Sequence, residues 1–501
     1  MSKKSPIFYS AILLTSVNLL LRFVATTFQV YISGKIGAEG IGLLQLVLSV
    51  GGLALTAGLA GIRTATMYLT AAQFGLKKPE NISHTLSACV GYSIICSCTV
   101  AIILSVFAPK IAGSWIGNIH TTGSIRLYAG FLPVSCLCGV MTGYFTAAGR
   151  IKTFAAVEVI EQIFCILLTM VLLTTWAEND TIRSCNAIIL GSGLGTCLTL
   201  FLLMILRILE RAPEGPPFPI RKKLLNTAAP LAVADDLKAG INTAENLMVP
   251  KRLSLYTGAQ TPLAAFGTVC GMVFPVLMFP AAIVFSLAEL LVPEMSRCNA
   301  SQNNLRIRYL ARKSLRIVFL YGCLLGGLLN ICAIPLCQKL YQNQQAGKYL
   351  QLYSFLAPML YCDGIIDAMN KGLGKQKISV QFNILTAILD IVFLYLLLPR
   401  FGMKGYYVSF LITHLLNFLM SISLLIKTVK VRIRIKMPVI TVFSTCIAIL
   451  LSSLVPNITL KAICFLLIFF SLMVLTGMIT RRDILWIKGL LNNKKSTNVA
   501  I

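Results

Sequence analysis

Residues 8–32 read Phe-Tyr-Ser-Ala-Ile-Leu-Leu-Thr-Ser-Val-Asn-Leu-Leu-Leu-Arg-Phe-Val-Ala-Thr-Thr-Phe-Gln-Val-Tyr-Ile, a stretch with no acid and one base, Arg22. As a helix it rises by about 37 Å, enough to cross a hydrocarbon core of about 30 Å. Its polar residues Thr15, Asn18, Arg22, Thr26 and Gln29 recur every three or four positions and form one stripe. A polar stripe facing lipid is costly, so this helix belongs in a bundle that shields or uses it.

The rest of the chain repeats the pattern. Its 501 residues are 57% hydrophobic and 12% charged, with a mean hydropathy of +0.81. That is too little charge to solvate a soluble globule. Apolar stretches of spanning length lie near 8–32, 42–72, 86–108, 126–148, 154–176, 186–206, 228–250, 263–292, 317–338, 349–369, 379–398, 406–426, 437–455 and 460–479. The expected fold is an all-α polytopic membrane protein of about fourteen transmembrane helices. The second and eighth spans carry the breakers Gly51, Gly52, Gly58 and Gly61, and Pro275 and Pro280. Such breakers fit kinked helices, whether beside a cavity or in plain packing.

Forty-four Lys and Arg against 17 Asp and Glu leave a formal charge of +27. No aromatic-interleaved basic domain accompanies the excess, so nucleic acid is not expected as a partner; the bilayer is. With the amino end inside, loop cations favour the cytoplasmic side by roughly three to one, as in the 297–316 loop with Arg297, Arg306, Arg308, Arg312, Lys313 and Arg316. Both termini are therefore expected in the cytoplasm and the protein in the plasma membrane. Met1-Ser-Lys-Lys runs straight into the first span without a small-residue cleavage site, so that span reads as retained. The 16 cysteines sit mostly in apolar runs and His84, His120 and His414 are dispersed, so no metal site is expected.

A weak duplication organises the chain. Pro133, Gly139, Gly149, Arg150 and Lys152 return at a constant offset as Pro358, Gly364, Gly374, Lys375 and Lys377, and Gly37-Ala38 is echoed by Gly258-Ala259. A shift of six spans preserves orientation, which implies two parallel six-helix lobes around a central cavity. The expected partition is 1–210, a linker at 211–227, a second lobe at 228–428, two additional helices at 429–480 and a tail at 481–501.

Charges inside the spans mark candidate sites. The leading helix of the second lobe repeats the polar stripe with Asp235, Lys238, Asn242 and Glu245. Arg63 lies in the second span, Glu158 and Glu161 in the fifth, Glu289 in the eighth, Asp363 and Asp367 in the tenth, and Asp390 in the eleventh. Asp363 and Asp367 are one turn apart, a spacing that suits a shared proton or cation as well as pairing with an arginine. Coupling to H⁺, Na⁺ or the membrane potential is the expected drive; no other cofactor is. There is no Gly-rich phosphate loop and no external loop large enough for a catalytic domain, so a transporter outranks an enzyme.

Three stretches carry a family resemblance: Ile36-Gly-Ala-Glu-Gly-Ile-Gly-Leu-Leu-Gln45, Glu245-Asn-Leu-Met-Val-Pro-Lys-Arg-Leu253, and Gly271-Met272 with Pro275, Pro280, Ser286-Leu287 and Leu291-Val-Pro-Glu-Met-Ser296. They resemble the stage V sporulation protein B group of polysaccharide-biosynthesis membrane proteins. That group shares a superfamily with multidrug and toxin extrusion transporters and MurJ-type lipid II flippases. The resemblance implies transfer of an undecaprenyl-diphosphate-linked saccharide, such as a peptidoglycan or spore-cortex precursor, by alternating access, with envelope-synthesis enzymes as further partners. It also implies a role for Arg22 and Arg63, which occupy helices where MurJ-type flippases carry cavity arginines. Span 8 departs from that pattern, offering Glu289 and no arginine before Arg297. Asn18, Lys238 and Asn242 complete the expected headgroup set, and Asp235, Glu245, Glu289, Asp363 and Asp367 the cavity acids. Those acids keep open an ion-coupled antiporter of drug cations; a membrane scaffold or saccharide polymerase is the third reading.

Overall fold

The computed structural model describes residues 6–76, 80–177, 180–209, 220–256, 261–430 and 436–478. Most of the expected linker, the echoing pair Gly258-Ala259 and the tail lie outside the described residues, among which there are helices and no strands. The chain opens with α1 (Pro6–Leu59), α2 (Ile62–Gly75) and α3 (Glu80–Lys110). At 54 residues α1 would run about 80 Å if straight, far beyond one bilayer core. Gly37, at φ 70° and ψ 179°, breaks it into two segments. The chain continues through α4 (Thr122–Ala147), α5 (Ile151–Thr175), α6 (Thr181–Leu209) and α7 (Arg221–Leu253). Two short helices, α8 (Pro262–Gly267) and α9 (Phe274–Met278), precede α10 (Ala281–Ala300), α11 (Asn304–Tyr341), α12 (Gln344–Tyr353) and α13 (Ala357–Gly372). The last four are α14 (Gln376–Phe401), α15 (Met403–Val429), α16 (Lys436–Ser453) and α17 (Ile458–Leu475).

Among the described residues ten helical stretches are long and apolar enough to cross a membrane, and α8–α9 with α10 make an eleventh as a bent pair. The larger sequence count comes from three places. The kinked α1–α2 stretch counts once, although it holds two expected spans. The charged stripe of α7 lowers its hydropathy, and α13 has 16 residues. Large apolar side chains left exposed on the outer faces, such as Ile102, Ile103 and Val106 on α3, are what a lipid-solvated surface requires.

The chain forms two compact units that do not follow chain order: Met1–Phe279 with Asn383–Thr413, and Pro280–Phe382 with His414–Ile501. In the first, Ile62, Leu69, Phe145 and Leu203 anchor a core joining α2, α4 and α6. In the second, Phe465 and Phe469 of α17 pack with Cys323 of α11 and Ala448 of α16. Arginines of α11 serve the second unit as caps: Arg308 donates to the Val429 carbonyl at the end of α15 (3.2 Å), and Arg316 to the Met478 carbonyl just beyond α17. Cations there satisfy orphan carbonyls and complement the negative end of the helix dipole.

Two turns at the offset noted in the sequence share one backbone geometry. After α4, Ala148 N donates to Tyr144 O, Gly149 N to Thr146 O and Arg150 N to Phe145 O; after α13, Leu373, Gly374 and Lys375 make the equivalent three bonds to Met369, Lys371 and Asn370. Gly149 and Gly374 take φ values of 71° and 75°. Each unit thus contains the same glycine-closed helix end.

Candidate functional site

Within the first unit a cavity of about 400 Å³ lies between the end of α1, the start of α2 and the middle of α7. Gly61 makes the approach possible: its φ is 71°, and a Cβ there would collide with the Ala228 carbonyl of α7. The first turn of α2 then presents Arg63 and Thr64, while α7 contributes Asp235, Lys238 and Asn242. These α7 positions, three and four apart, share one helical face. The rotation of α7 is held by Ser49 of α1, which accepts from Thr243 (3.0 Å) and from Asn246 (2.9 Å).

Four residues expected from sequence are thereby gathered: Arg63, Asp235, Lys238 and Asn242. Arg63 of α2 faces Lys238 and Asp235 of α7 across a half-polar space, with Thr56 and Thr64 adding hydroxyls. Glu158 of α5 also lies within Coulombic range of Arg63. A guanidinium and an ammonium on opposite walls suit a dense anion, which the Asn242 amide can also bond. Arg22 stands exposed on the first segment of α1 and is not part of this lining. The side chain of Asn18 lies outside the described residues.

A second polar site occupies the same unit. Glu245, on a flank of α7, is within hydrogen-bonding reach of Asp390 on α14. Asp390 is 5% exposed and accepts from Ser409 (2.5 Å) and Thr413 (3.1 Å), both buried on α15. A carboxylate only accepts, so two carboxyls bonded to each other hold a proton between them or give way to a cation. Asp390 is legible in the sequence as an intramembrane charge, whereas Ser409 and Thr413 carry no charge to mark them. Their one-turn spacing on one face of α15 was the available signal.

The other expected cavity acids, Glu289, Asp363 and Asp367, lie in the second unit. Asp367 pairs with Lys371, one turn on, at 2.8 Å. Asp363 accepts from Asn417 at 3.1 Å, and Glu289 is exposed on α10. Among the described residues no group of three His, Cys, Asp or Glu side chains gathers as a metal site.

Residues 12–171 match the MatE family. The chain is 20% identical over 440 residues to stage V sporulation protein B of Bacillus subtilis (strain 168), covering 85% of this chain and 84% of that protein. It is 23% identical over 295 residues to sporulation protein YkvU of the same organism, covering 54% and 62%. Among solved structures, lipid II flippase MurJ in an inward closed conformation superposes with a TM-score of 0.72 at 13% identity, over 95% of this chain and 100% of that one. An inward-facing MATE family multidrug resistance transporter of the MOP superfamily gives 0.67 at 12%, over 84% and 99%. The resemblance read from the sequence holds: the chain is similar to stage V sporulation protein B over most of its length and has the polytopic, all-helical fold of MATE and MurJ transporters.

Proposed function

We propose that this protein is a flippase that carries a lipid-linked saccharide with an anionic diphosphate across the plasma membrane by alternating access. One observation carries the reading: Arg63 and Lys238 line one 400 Å³ cavity with a single acid, Asp235. Paired guanidinium and ammonium groups grip diphosphate strongly, while a prenyl tail can stay in lipid. Arg22, with Asn18 beside it in the stripe, is assigned to the same headgroup path. The similarity to stage V sporulation protein B and to the MurJ fold supports a lipid-linked precursor as the class of substrate.

Glu245 and Asp390, with Ser409 and Thr413, are assigned as the coupling site for H⁺ or Na⁺, since hydroxyls and carboxylates offer only oxygen to an ion. The second reading is antiport of a drug cation, supported by the MatE match. It calls for a cavity dominated by acids, whereas the observed one has two cations to one acid. Purified protein reconstituted with fluorescent undecaprenyl-diphosphate saccharide and, separately, with drug cations distinguishes them. Movement of the lipid-linked sugar alone is expected; movement of the cation alone overturns the proposal.

A further inference from the structure

A larger cavity, about 570 Å³, lies on the opposite face of α7 within the same unit. That volume falls in the range of small-molecule sites, roughly 300–1,000 Å³. Its floor is apolar and runs along α7 through Gly240, Ala244 and Leu247, with Leu53 of α1 alongside. Lys251 and Arg252 close one end, beside Trp115 and Tyr395. From Gly240 to Lys251 the helix rises by about 16 Å, which matches the roughly 15 Å hydrocarbon depth of one leaflet.

The charged end is organised. Lys251 donates to the Ser114 carbonyl, and the Arg252 guanidinium stacks 3.1 Å from the centroid of the Tyr395 ring. Stacking occupies the face of the guanidinium and leaves its in-plane N–H donors available for an anion. Neither cation pairs with a carboxylate among the described residues. Trp115 and Tyr395 are 44% and 55% exposed, and aromatic and basic side chains together mark the headgroup level of a membrane.

We infer that this groove is a binding site for an anionic glycerophospholipid, its phosphate held by Lys251 and Arg252 and one acyl chain laid along α7 from Leu247 toward Gly240. The leaflet-deep length favours a bilayer phospholipid over a long prenyl carrier, which would overrun the groove. This site is separate from the Arg63 cavity and stands whether or not that cavity binds diphosphate.

Trp115 reports on it directly. The chain has three tryptophans, so the full-length Trp176→Phe, Trp486→Phe protein leaves Trp115 as the fluorophore. It is reconstituted in phosphatidylcholine vesicles with brominated phosphatidylglycerol or brominated phosphatidylcholine as the minor component. Brominated phosphatidylglycerol should quench Trp115 at a mole fraction on the order of ten- to thirtyfold lower than brominated phosphatidylcholine, as two surface cations allow. Lys251→Gln with Arg252→Gln should bring the two lipids together. Ala244→Phe, which leaves both cations in place, should weaken quenching by either lipid by filling the groove. Equal quenching by the two lipids in the parent, or unchanged selectivity in the double variant, overturns the assignment. Full relief of quenching by soluble glycerol phosphate also overturns it, since the groove would then play no part in binding.

Discussion

Glu245 on α7 and Asp390 on α14 face each other within one unit, and Asp390 is further bonded to Ser409 and Thr413. A pair so placed holds a proton or a cation, and its neutralised variants separate coupling from transport. Glu245→Gln and Asp390→Asn keep most of the hydrogen-bonding shape while removing one charge. In proteoliposomes either variant should retain slow movement of lipid-linked saccharide and lose its acceleration by an imposed H⁺ or Na⁺ gradient. An unchanged gradient response in both variants would remove the pair from the coupling role.

Arg63 and Lys238 should behave as substrate ligands. Charge-assisted hydrogen bonds contribute about 1.5–3 kcal/mol each, so Arg63→Ala or Lys238→Ala should weaken headgroup binding by roughly ten- to a hundredfold at normal protein level. Arg63→Lys should recover only part of this, because a point charge loses the forked geometry. Binding of a soluble diphosphate-sugar headgroup by calorimetry is the measurement. Equal affinity in the alanine and parent proteins refutes the assignment.

The glycines that close α4 and α13 predict a stability effect confined to the backbone. A Cβ at Gly149 or Gly374 would meet nothing within 4 Å, so the cost of Gly→Ala comes from φ alone, about 1–2 kcal/mol. Asn tolerates that region better. Thermal unfolding in detergent should order Gly, Asn, Ala from most to least stable at both positions. A neutral alanine at either one contradicts the turn geometry.

These paired turns also show why some features were legible in sequence and others were not. The constant offset from Gly149 to Gly374 survives because only glycine readily takes that φ. The stripe Asp235, Lys238, Asn242 was readable because helical spacing places it on one face. Gly61 carries a different kind of information: it matters because α7 approaches it, and no local pattern encodes that approach. Ser409 and Thr413 likewise become a site only when α15 packs on Asp390. Asp363 and Asp367 read as a like-charged couple and do lie within Coulombic range of each other; Lys371, one turn further on the same face, adds an ion pair to Asp367.

Topology is open to a labelling test. Glu294 and Arg306 lie 2.6 Å apart across the turn joining α10 to α11, so the turn is closed by an ion pair at a basic helix end. The basic segment 297–316, expected as a loop but helical apart from the turn at 301–303, is proposed as cytoplasmic, with both termini on the same side. In a background without reactive cysteines, Gln302→Cys in intact cells should resist an impermeant maleimide and react after permeabilisation. Labelling of intact cells reverses the orientation.

Arg22 carries the sharpest test of the substrate path. It is exposed on α1 among Leu19, Leu20 and Phe23, all exposed as well, and no acid precedes Glu39 in the chain. A central arginine costs about 2.5–3.5 kcal/mol on insertion scales, so it persists for something that offsets that cost. If the offset is an anionic headgroup, Arg22→Ala should give a folded protein at normal level that no longer moves lipid-linked saccharide, and Arg22→Lys should restore a fraction of transport. If the offset is a structural ion pair, Arg22→Ala instead strands a buried acid, and protein level and melting temperature should fall. Measuring level, melting temperature and flipping on the same preparations separates the two. Full flipping by a well-expressed Arg22→Ala protein would leave Arg63 and Lys238 as the headgroup ligands and take Arg22 out of the path.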